Sequence, residues 1–276
     1  MELLGNKIRI LRRNKNITQA ELARELSVSS QAVSKWERCI ASPDISMLPA
    51  IARFFGITMD ELFNYRLEAM TEKERFVRFL WDNDVLKFGE FRLKSGRISP
   101  YFINTERFSS GSQFAKIGEF YAGCIRENHL QTDLLLANTD KENHIITAVS
   151  MILYTKFGRD INCRINNTIG KLSGSHEHIT LLKDTMASGD TLRKVMEEIR
   201  SSVGEYPGSI VLAVDRMEKG LYSDLTTVNE IRRQFGVPVY SIVTVDDIIA
   251  ALENRVIPGA EYLEAMKTYR NQYRGN

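Results

Sequence analysis

The chain has 276 residues, 43% of them hydrophobic and 26% charged, with a formal net charge of +2 at pH 7, a size that suits two domains better than one core. Its longest apolar runs, such as SIVLAV at 209–214, fall far short of the roughly 18 residues a membrane span requires, and a polar amphipathic pattern follows Met1 where a secretory signal would be apolar, so a cytoplasmic protein with no membrane partner is expected. Cys39, Cys124 and Cys163 and the close pair His176 and His178 lack the spacing of a disulfide framework or a zinc site, and no metal ligand is assigned.

The overall charge hides an uneven distribution. Over residues 7–38, eight Lys or Arg stand against three acids, Glu21, Glu25 and Glu37, a local charge of +5 that attracts a polyanion. The same stretch reads as short helices. Leu4, Ile8 and Leu11 share one face of helix 1. Thr18 with Glu21 three residues later is a capping box for helix 2, which turns Leu22 and Ala23 inward. After a turn through Leu26, Ser27 and Val28, Ser29 caps a third helix whose inner face is Ala32, Val33 and Trp36. Its outward set is Ser30, Gln31, Ser34, Lys35 and Arg38. That composition suits a helix lying in a major groove, where Gln reads adenine and Ser or Lys reaches base edges and phosphates. A fourth helix is predicted from about 46 to 55 and a last short one over 57–63, with Trp36, Leu48, Ile51, Phe55, Ile57 and Leu62 closing a small core.

The segment TQAELARELSVSSQAVSKWERCIASPDISMLPAIARFFGITMDELF, 18–63, resembles the lambda-repressor-like, Cro/C1-type (XRE) helix-turn-helix family through its TQxELA opening, SxxxVSxWE third helix, SPD connection and closing DELF. The resemblance implies an all-α DNA-binding domain over 1–65 that reads double-stranded operator DNA. It places Gln19 at the start of helix 2 facing phosphate or a base, makes Gln31, Ser34 and Lys35 the base-reading candidates, and keeps Ser29, Ser30 and Arg38 in the DNA-binding set.

A linker is expected over 66–72 and a second domain over 73–276. Its pattern is α/β: a helix at 72–82, a hairpin-like stretch at 88–103 and a helix at 112–127. Strands at 134–137, 161–165, 179–183, 209–214 and 237–243 follow, with helices near 144–157, 190–204, 225–235, 246–253 and 258–270. Strands joined through helices predict a mostly parallel sheet with covered faces, with ligands at the carboxyl ends of the strands. Two strand-end segments invite a chemical reading. In LLKDTMASGDTL, 181–192, Ser188, Gly189 and the backbone N–H groups that follow, including that of Thr191, offer an anion-binding nest at a helix start. In LKSGRISPYF, 93–102, Lys94 and Arg97 flank a glycine turn ahead of Tyr101 and Phe102, which suits a flat acidic ligand.

FGEFRLKSGRISPYFINTERFSSG at 88–111, VDRMEKG at 214–220 and FGVPVYSIVTVDDII at 235–249 resemble orotate phosphoribosyltransferase. The resemblance implies a type I phosphoribosyltransferase fold, transfer of a phosphoribosyl group from PRPP to orotate with magnesium, and pairing as a homodimer whose flexible loop closes on the partner's site. It makes Lys94 a ligand contact, puts Tyr101 and Phe102 over the pyrimidine, and gives Arg216 the carboxylate. The PRPP side departs from the pattern. The family's two adjacent acids are Lys183 and Asp184 here, and its threonine-rich phosphate loop is Ala187, Ser188, Gly189 and Asp190. The pyrophosphate loop reads Asn138, Thr139, Asp140, Lys141 and Glu142, with only Lys141 kept. The catalytic loop is RINNTIGKLSGSHEH, 164–178, with Arg164 and Lys171 as its strong cations. The leading expectation is a transcriptional regulator whose second domain, catalytically degenerate, senses a small anionic, pyrimidine-related metabolite and dimerises. The alternatives are a bifunctional transferase that regulates its own pathway, for which PRPP and magnesium would be required, and a ligand-free module that only pairs two DNA-binding heads.

Overall fold

The computed structural model describes residues 4–63, 70–93, 95–137, 142–164, 178–186, 189–220 and 223–276. It divides into two compact units, Met1–Met70 and Thr71–Asn276.

Among the described residues the first unit has five α-helices: α1 (Leu4–Asn14), α2 (Gln19–Glu25), α3 (Ser30–Glu37), α4 (Leu48–Phe55) and α5 (Met59–Leu62). Local chemistry fixes their ends. Thr18 and Thr58 each close a capping box, with Glu21 and Glu61 respectively, satisfying N–H groups that the first turn leaves without partners. The fourth helix starts two residues later than its apolar pattern predicts. Asp44 accepts from Ser46 N and holds Ile45–Met47 as a 3-10 turn before α4 begins at Leu48. Ile8, Leu22, Val33, Ile51 and Leu62 are fully buried in the core, with Trp36 and Leu48 beside them and Phe55 and Ile57 packed against it. Gly5 lets α1 meet α3 closely, since a Cβ there would lie 1.9 Å from Trp36 O.

The second unit opens with α6 (Glu72–Asp82), capped by Thr71, and an antiparallel hairpin of β1 (Leu86–Arg92) and β2 (Ile98–Ile103). Then come α7 (Gly111–Glu127), β3 (Leu134–Ala137), α8 (Asn143–Phe157), β4 (Asn162–Arg164), β5 (Ile179–Thr185), α9 (Asp190–Val203), β6 (Ser209–Asp215), α10 (Thr227–Phe235), β7 (Val239–Thr244), α11 (Val245–Glu253) and α12 (Leu263–Tyr273). The five strands β3–β7 form a parallel sheet in the order β4-β3-β5-β6-β7. Its strands are apolar along 134–137, 181–182 and 210–214 because helices cover both faces, and turn polar toward the ends of β5 and β6. On one face Leu134, Leu136, Leu181, Ile210 and Leu212 pack on Leu192, Val195, Met196 and Ile199 of α9 and on Ile231 and Phe235 of α10. Gly118 allows α7 and α8 to cross tightly, since a Cβ there would lie 3.0 Å from the Ala148 carbonyl. The last helix starts later than position 258, as a 3-10 turn at Ala260–Tyr262 leads into α12. The strand order brings the ends of β3, β5 and β6 side by side, the place where parallel sheets bind ligands. No helix among the described residues is long and apolar enough to cross a membrane.

Candidate functional sites: a reading helix and a sheet mouth

In the first unit the side chain of Ser29 accepts from Ala32 N and starts α3. The helix buries Val33, Trp36 and Glu37 and leaves Ser30, Gln31 and Lys35 exposed, with Ser34 half-buried and Arg38 exposed at the C-cap. The sequence-assigned outward set is therefore one contiguous surface. Gln19 is placed differently from a free hand. Its Nε2 donates to Glu37 Oε2 at 2.7 Å, while Arg12 grips both oxygens of the same carboxylate through Nε (2.6 Å) and Nη2 (3.0 Å) and gives Nη1 to Ile17 O. Burial by itself would raise the Glu37 carboxyl, but the hydrogen bonds from Arg12 and Gln19 and the charges of Arg12 and Arg13 hold it below the usual range. A buried charge is tolerable only when paired and hydrogen-bonded, and this one ties α1, the start of α2 and the end of α3 together. The pair spans twenty-five positions, so no local pattern announces it.

In the second unit Arg216, just beyond the end of β6, is buried. It donates through Nε to Glu218 Oε1 (2.7 Å) and through Nη2 to Ser99 Oγ (3.0 Å), and its guanidinium lies 4.2 Å from the centroid of the Tyr101 ring. Glu218 also accepts from Arg97 Nη1 (2.9 Å) and from the Tyr269 hydroxyl (2.9 Å). Two guanidinium groups thus share the Glu218 carboxylate, and the Asp215 carboxylate lies near enough to act on Glu218 and Tyr101 as well. Burial opposes the charge on Arg216, but Tyr101, Glu218 and Tyr269 raise its pKa above the ordinary arginine value. Burial, reinforced by Glu218, pushes the Tyr269 phenol up to about 12. Arg97 was read from the sequence as a cation beside the glycine turn, whereas Ser99, Glu218 and Tyr269 were not among the sequence-assigned site residues. The visible signal for one of them was an acid two positions after Arg216.

Tyr101 and Phe102 do not act as a pair. Successive residues of a strand point to opposite faces, so Tyr101 is fully buried against Arg216 and Tyr269 while Phe102 is exposed and stacks on Phe91 with ring centroids 5.5 Å apart. The Tyr101 hydroxyl has no hydrogen-bond partner among the described residues. Lys94, Lys141 and Ser188 lie outside those residues, as do Asn138, Thr139, Asp140, Ala187 and the segment 165–177 with Lys171 and His176.

At the ends of β3 and β5 the side chain of Lys183 turns from solvent toward Glu142, with Nζ 3.9 Å from Oε1, and the Tyr121 hydroxyl holds the Lys183 carbonyl at 2.7 Å. The Asp184 carboxylate accepts from Thr185 N (2.6 Å) and the Thr105 hydroxyl (3.2 Å). Gly189 makes the turn into α9 with φ +78°, Asp190 and Thr191 are exposed, and Arg193 reaches Asp190 (3.6 Å) and Glu230 (2.7 Å). Magnesium favours an octahedron of oxygens. An ammonium stands where a second carboxylate would serve it, and no group of three His, Cys, Asp or Glu among the described residues has metal-holding geometry. Magnesium is commonly held by one or two carboxylates with water and substrate phosphates completing its shell, and Asp184 offers one carboxylate here.

Comparison with known proteins follows the same division. A helix-turn-helix family model matches residues 8–62. The chain is 38% identical over 210 residues to an orotate phosphoribosyltransferase of Actinobacillus pleuropneumoniae serotype 5b, covering 73% of this chain and 97% of that protein. It is 34% identical over 207 residues to the enzyme of Pseudomonas fluorescens, covering 72% and 96% respectively. The crystal structure of orotate phosphoribosyltransferase from Francisella tularensis superposes with a TM-score of 0.64 at 28% identity, covering 73% of this chain and all of that one.

Proposed function

The chain belongs to the orotate phosphoribosyltransferase family and carries a helix-turn-helix domain ahead of that region, and on that basis we propose that it is a sequence-specific transcriptional regulator whose transferase-like unit senses a small anionic, pyrimidine-related metabolite without converting it. The observation that carries this reading is the half-buried Lys183 ammonium 3.9 Å from Glu142, in the place where the family resemblance calls for a second acid next to Asp184. With Lys183 in that place, one of the two carboxylates that the resemblance assigns to the ribose hydroxyls of PRPP is missing, and an ammonium, which has no acceptor, does not replace it. The Arg97 and Arg216 guanidinium groups stand together on Glu218 beside the Tyr101 ring, and guanidinium groups are suited to a planar carboxylate. The exposed set Gln31, Lys35 and Arg38 on α3 suits an operator, and two half-sites call for two heads, which a homodimer supplies.

The identity to curated orotate phosphoribosyltransferases over 97% of their length favours a second reading, a bifunctional protein that also makes the nucleotide. Incubation with orotate, PRPP and magnesium separates the two. The sensor reading expects no pyrophosphate above a control without protein. Pyrophosphate and nucleotide in equal amounts, lost in Lys94→Ala, would establish the enzyme.

A further inference from the structure

We propose that the segment Tyr273–Asn276 is a positioning strap for the turn Arg216–Glu218 and so sets ligand affinity at the end of β6 through backbone contacts; the inference rests on the sensor reading above. The turn needs holding. Met217 sits at φ +53°, in the left-handed region, which a residue with a Cβ enters at a cost and keeps only where its surroundings over-determine it. Locally, Met217 N donates to Asp215 Oδ1 at 2.8 Å. The conformation sets Arg216 and Glu218 side by side, with Nε 2.7 Å from Oε1.

Further support comes from the strap. Lys219 N donates to Tyr273 O (2.7 Å) and Gly275 N to Met217 O (3.2 Å), an antiparallel bridge that pairs Glu218 with Arg274. Asn276 N then donates to Asp224 O (2.8 Å), and Asn276 O accepts from Thr226 N (3.1 Å) and from Asn229 Nδ2 (3.0 Å) in the first turn of α10. The strap thus stitches Met217–Lys219 to Asp224–Thr226. Its seat is close-fitting, since Gly275 is buried and an added Cβ there would lie 2.3 Å from Thr226 N. Tyr273 carries the contact into the charged cluster. The centroid of its ring lies 4.9 Å from the Arg97 guanidinium, which donates to Glu218 Oε2 (2.9 Å) and Lys219 O (3.1 Å). The same ring lies 4.8 Å from that of Tyr269, whose hydroxyl donates to Glu218 Oε1. Arg270 and Arg274 anchor this end of the chain on Asp246 of α11 (2.7 and 3.2 Å). Unseating the strap therefore loosens the Glu218 carboxylate and the two guanidinium groups it holds, while the apolar core under α9 and α10 is built from other residues.

Two full-length variants test this against the parent protein: Gly275→Ala, which puts one methyl group into the seat, and Asn229→Ala, which removes a single bond to the strap. Isothermal titration with orotate is expected to show affinity about tenfold weaker in Gly275→Ala and about threefold weaker in Asn229→Ala. The ultraviolet titration of Tyr269, taken as the difference from Tyr269→Phe in each background, is expected to fall below about 12 in Gly275→Ala, a change that lost stability elsewhere in the fold does not produce. Both readouts apply to Asn229→Ala with smaller amplitude, which keeps the test decisive should Gly275→Ala not fold. Orotate affinity that stays within about twofold of the parent in both variants, or a Tyr269 titration that neither moves, would overturn the inference and leave the sensor reading standing. If the parent takes up no orotate, the sensor reading falls and Tyr269 alone decides on the strap: ionisation lowered in the variants upholds it, and ionisation unchanged overturns it.

Discussion

Lys183 and Glu142 meet 3.9 Å apart with both side chains largely withdrawn from water, one from the end of β5 and the other from the loop that leads into α8. Neither belongs in so dry a place alone, and the pair explains how a basic residue is accommodated at that strand end. Glu142→Gln leaves the ammonium without its counter-charge, and breaking a buried pair in this way costs about 3–5 kcal/mol. The wider spacing puts this pair at the lower limit. Urea unfolding followed by fluorescence should show the loss in the second unit, with Trp36→Phe as background so that Trp81 is the only indole. Lys183→Met combined with Glu142→Leu should recover most of the stability, because two apolar groups need no partner.

The Glu37 carboxylate gives the first unit a defined acid sensitivity. Its folded pKa lies below the ordinary 4.5, so its contribution is fully present above that value and is lost as pH falls through the folded pKa. Thermal unfolding of the first unit between pH 6 and about pH 3 should therefore show a stability decline that is shallower in Glu37→Gln, which starts lower because the half-buried Arg12 loses its counter-charge and keeps only its bond to Ile17 O. An unchanged slope in the variant would remove the ion pair from the explanation.

On α3, Gln31→Ala should relax base preference at one operator position by about 1–3 kcal/mol. Gln19→Ala should behave otherwise. Its amide is tied to Glu37, so its loss should weaken binding to all operator variants together and lower the stability of the unit, with the order of preferred bases unchanged. Binding measured across a set of single-base operator variants distinguishes the two patterns.

The Tyr269 phenol, raised to about 12, reports on the Glu218 cluster. A phenol whose folded pKa lies above its ordinary value of 10.0 adds stability that is present below pH 10 and lost as pH rises through 12. The ultraviolet difference titration between the protein and Tyr269→Phe should show ionisation near 12, and Glu218→Gln should bring it down by removing the neighbouring negative charge. A Tyr269 that titrates normally in both would contradict the buried arrangement around Arg216.

Much of this architecture is legible in the sequence because it is local. The runs at 134–137 and 209–214 are short enough to favour strands covered on both faces, and Thr18 with Glu21 or Ser29 ahead of Ala32 marks helix starts through hydrogen bonds a few residues long. What escapes is whatever depends on distant partners. Arg12 with Glu37 and Arg97 with Glu218, 121 positions apart, are charge pairs set by tertiary packing. The separation of Tyr101 from Phe102 follows from strand alternation, but which of the two faces inward depends on Arg216 and Tyr269 arriving from the far end of the chain. The late start of α4 comes from Asp44 choosing a 3-10 turn, a local competition that an apolar pattern does not record.

The central claim, that a ligand taken up without conversion changes operator binding, is tested most directly on an operator selected from a random DNA library. Its affinity for the full-length protein is measured as orotate is titrated, with PRPP and magnesium present and nucleotide formation followed in the same samples. The account predicts a shift of about tenfold in operator affinity, a coupling of about 1.4 kcal/mol, that disappears in Arg216→Ala while ligand-free DNA binding stays intact and no nucleotide forms. An operator affinity indifferent to orotate, with nucleotide and pyrophosphate accumulating together, would contradict it.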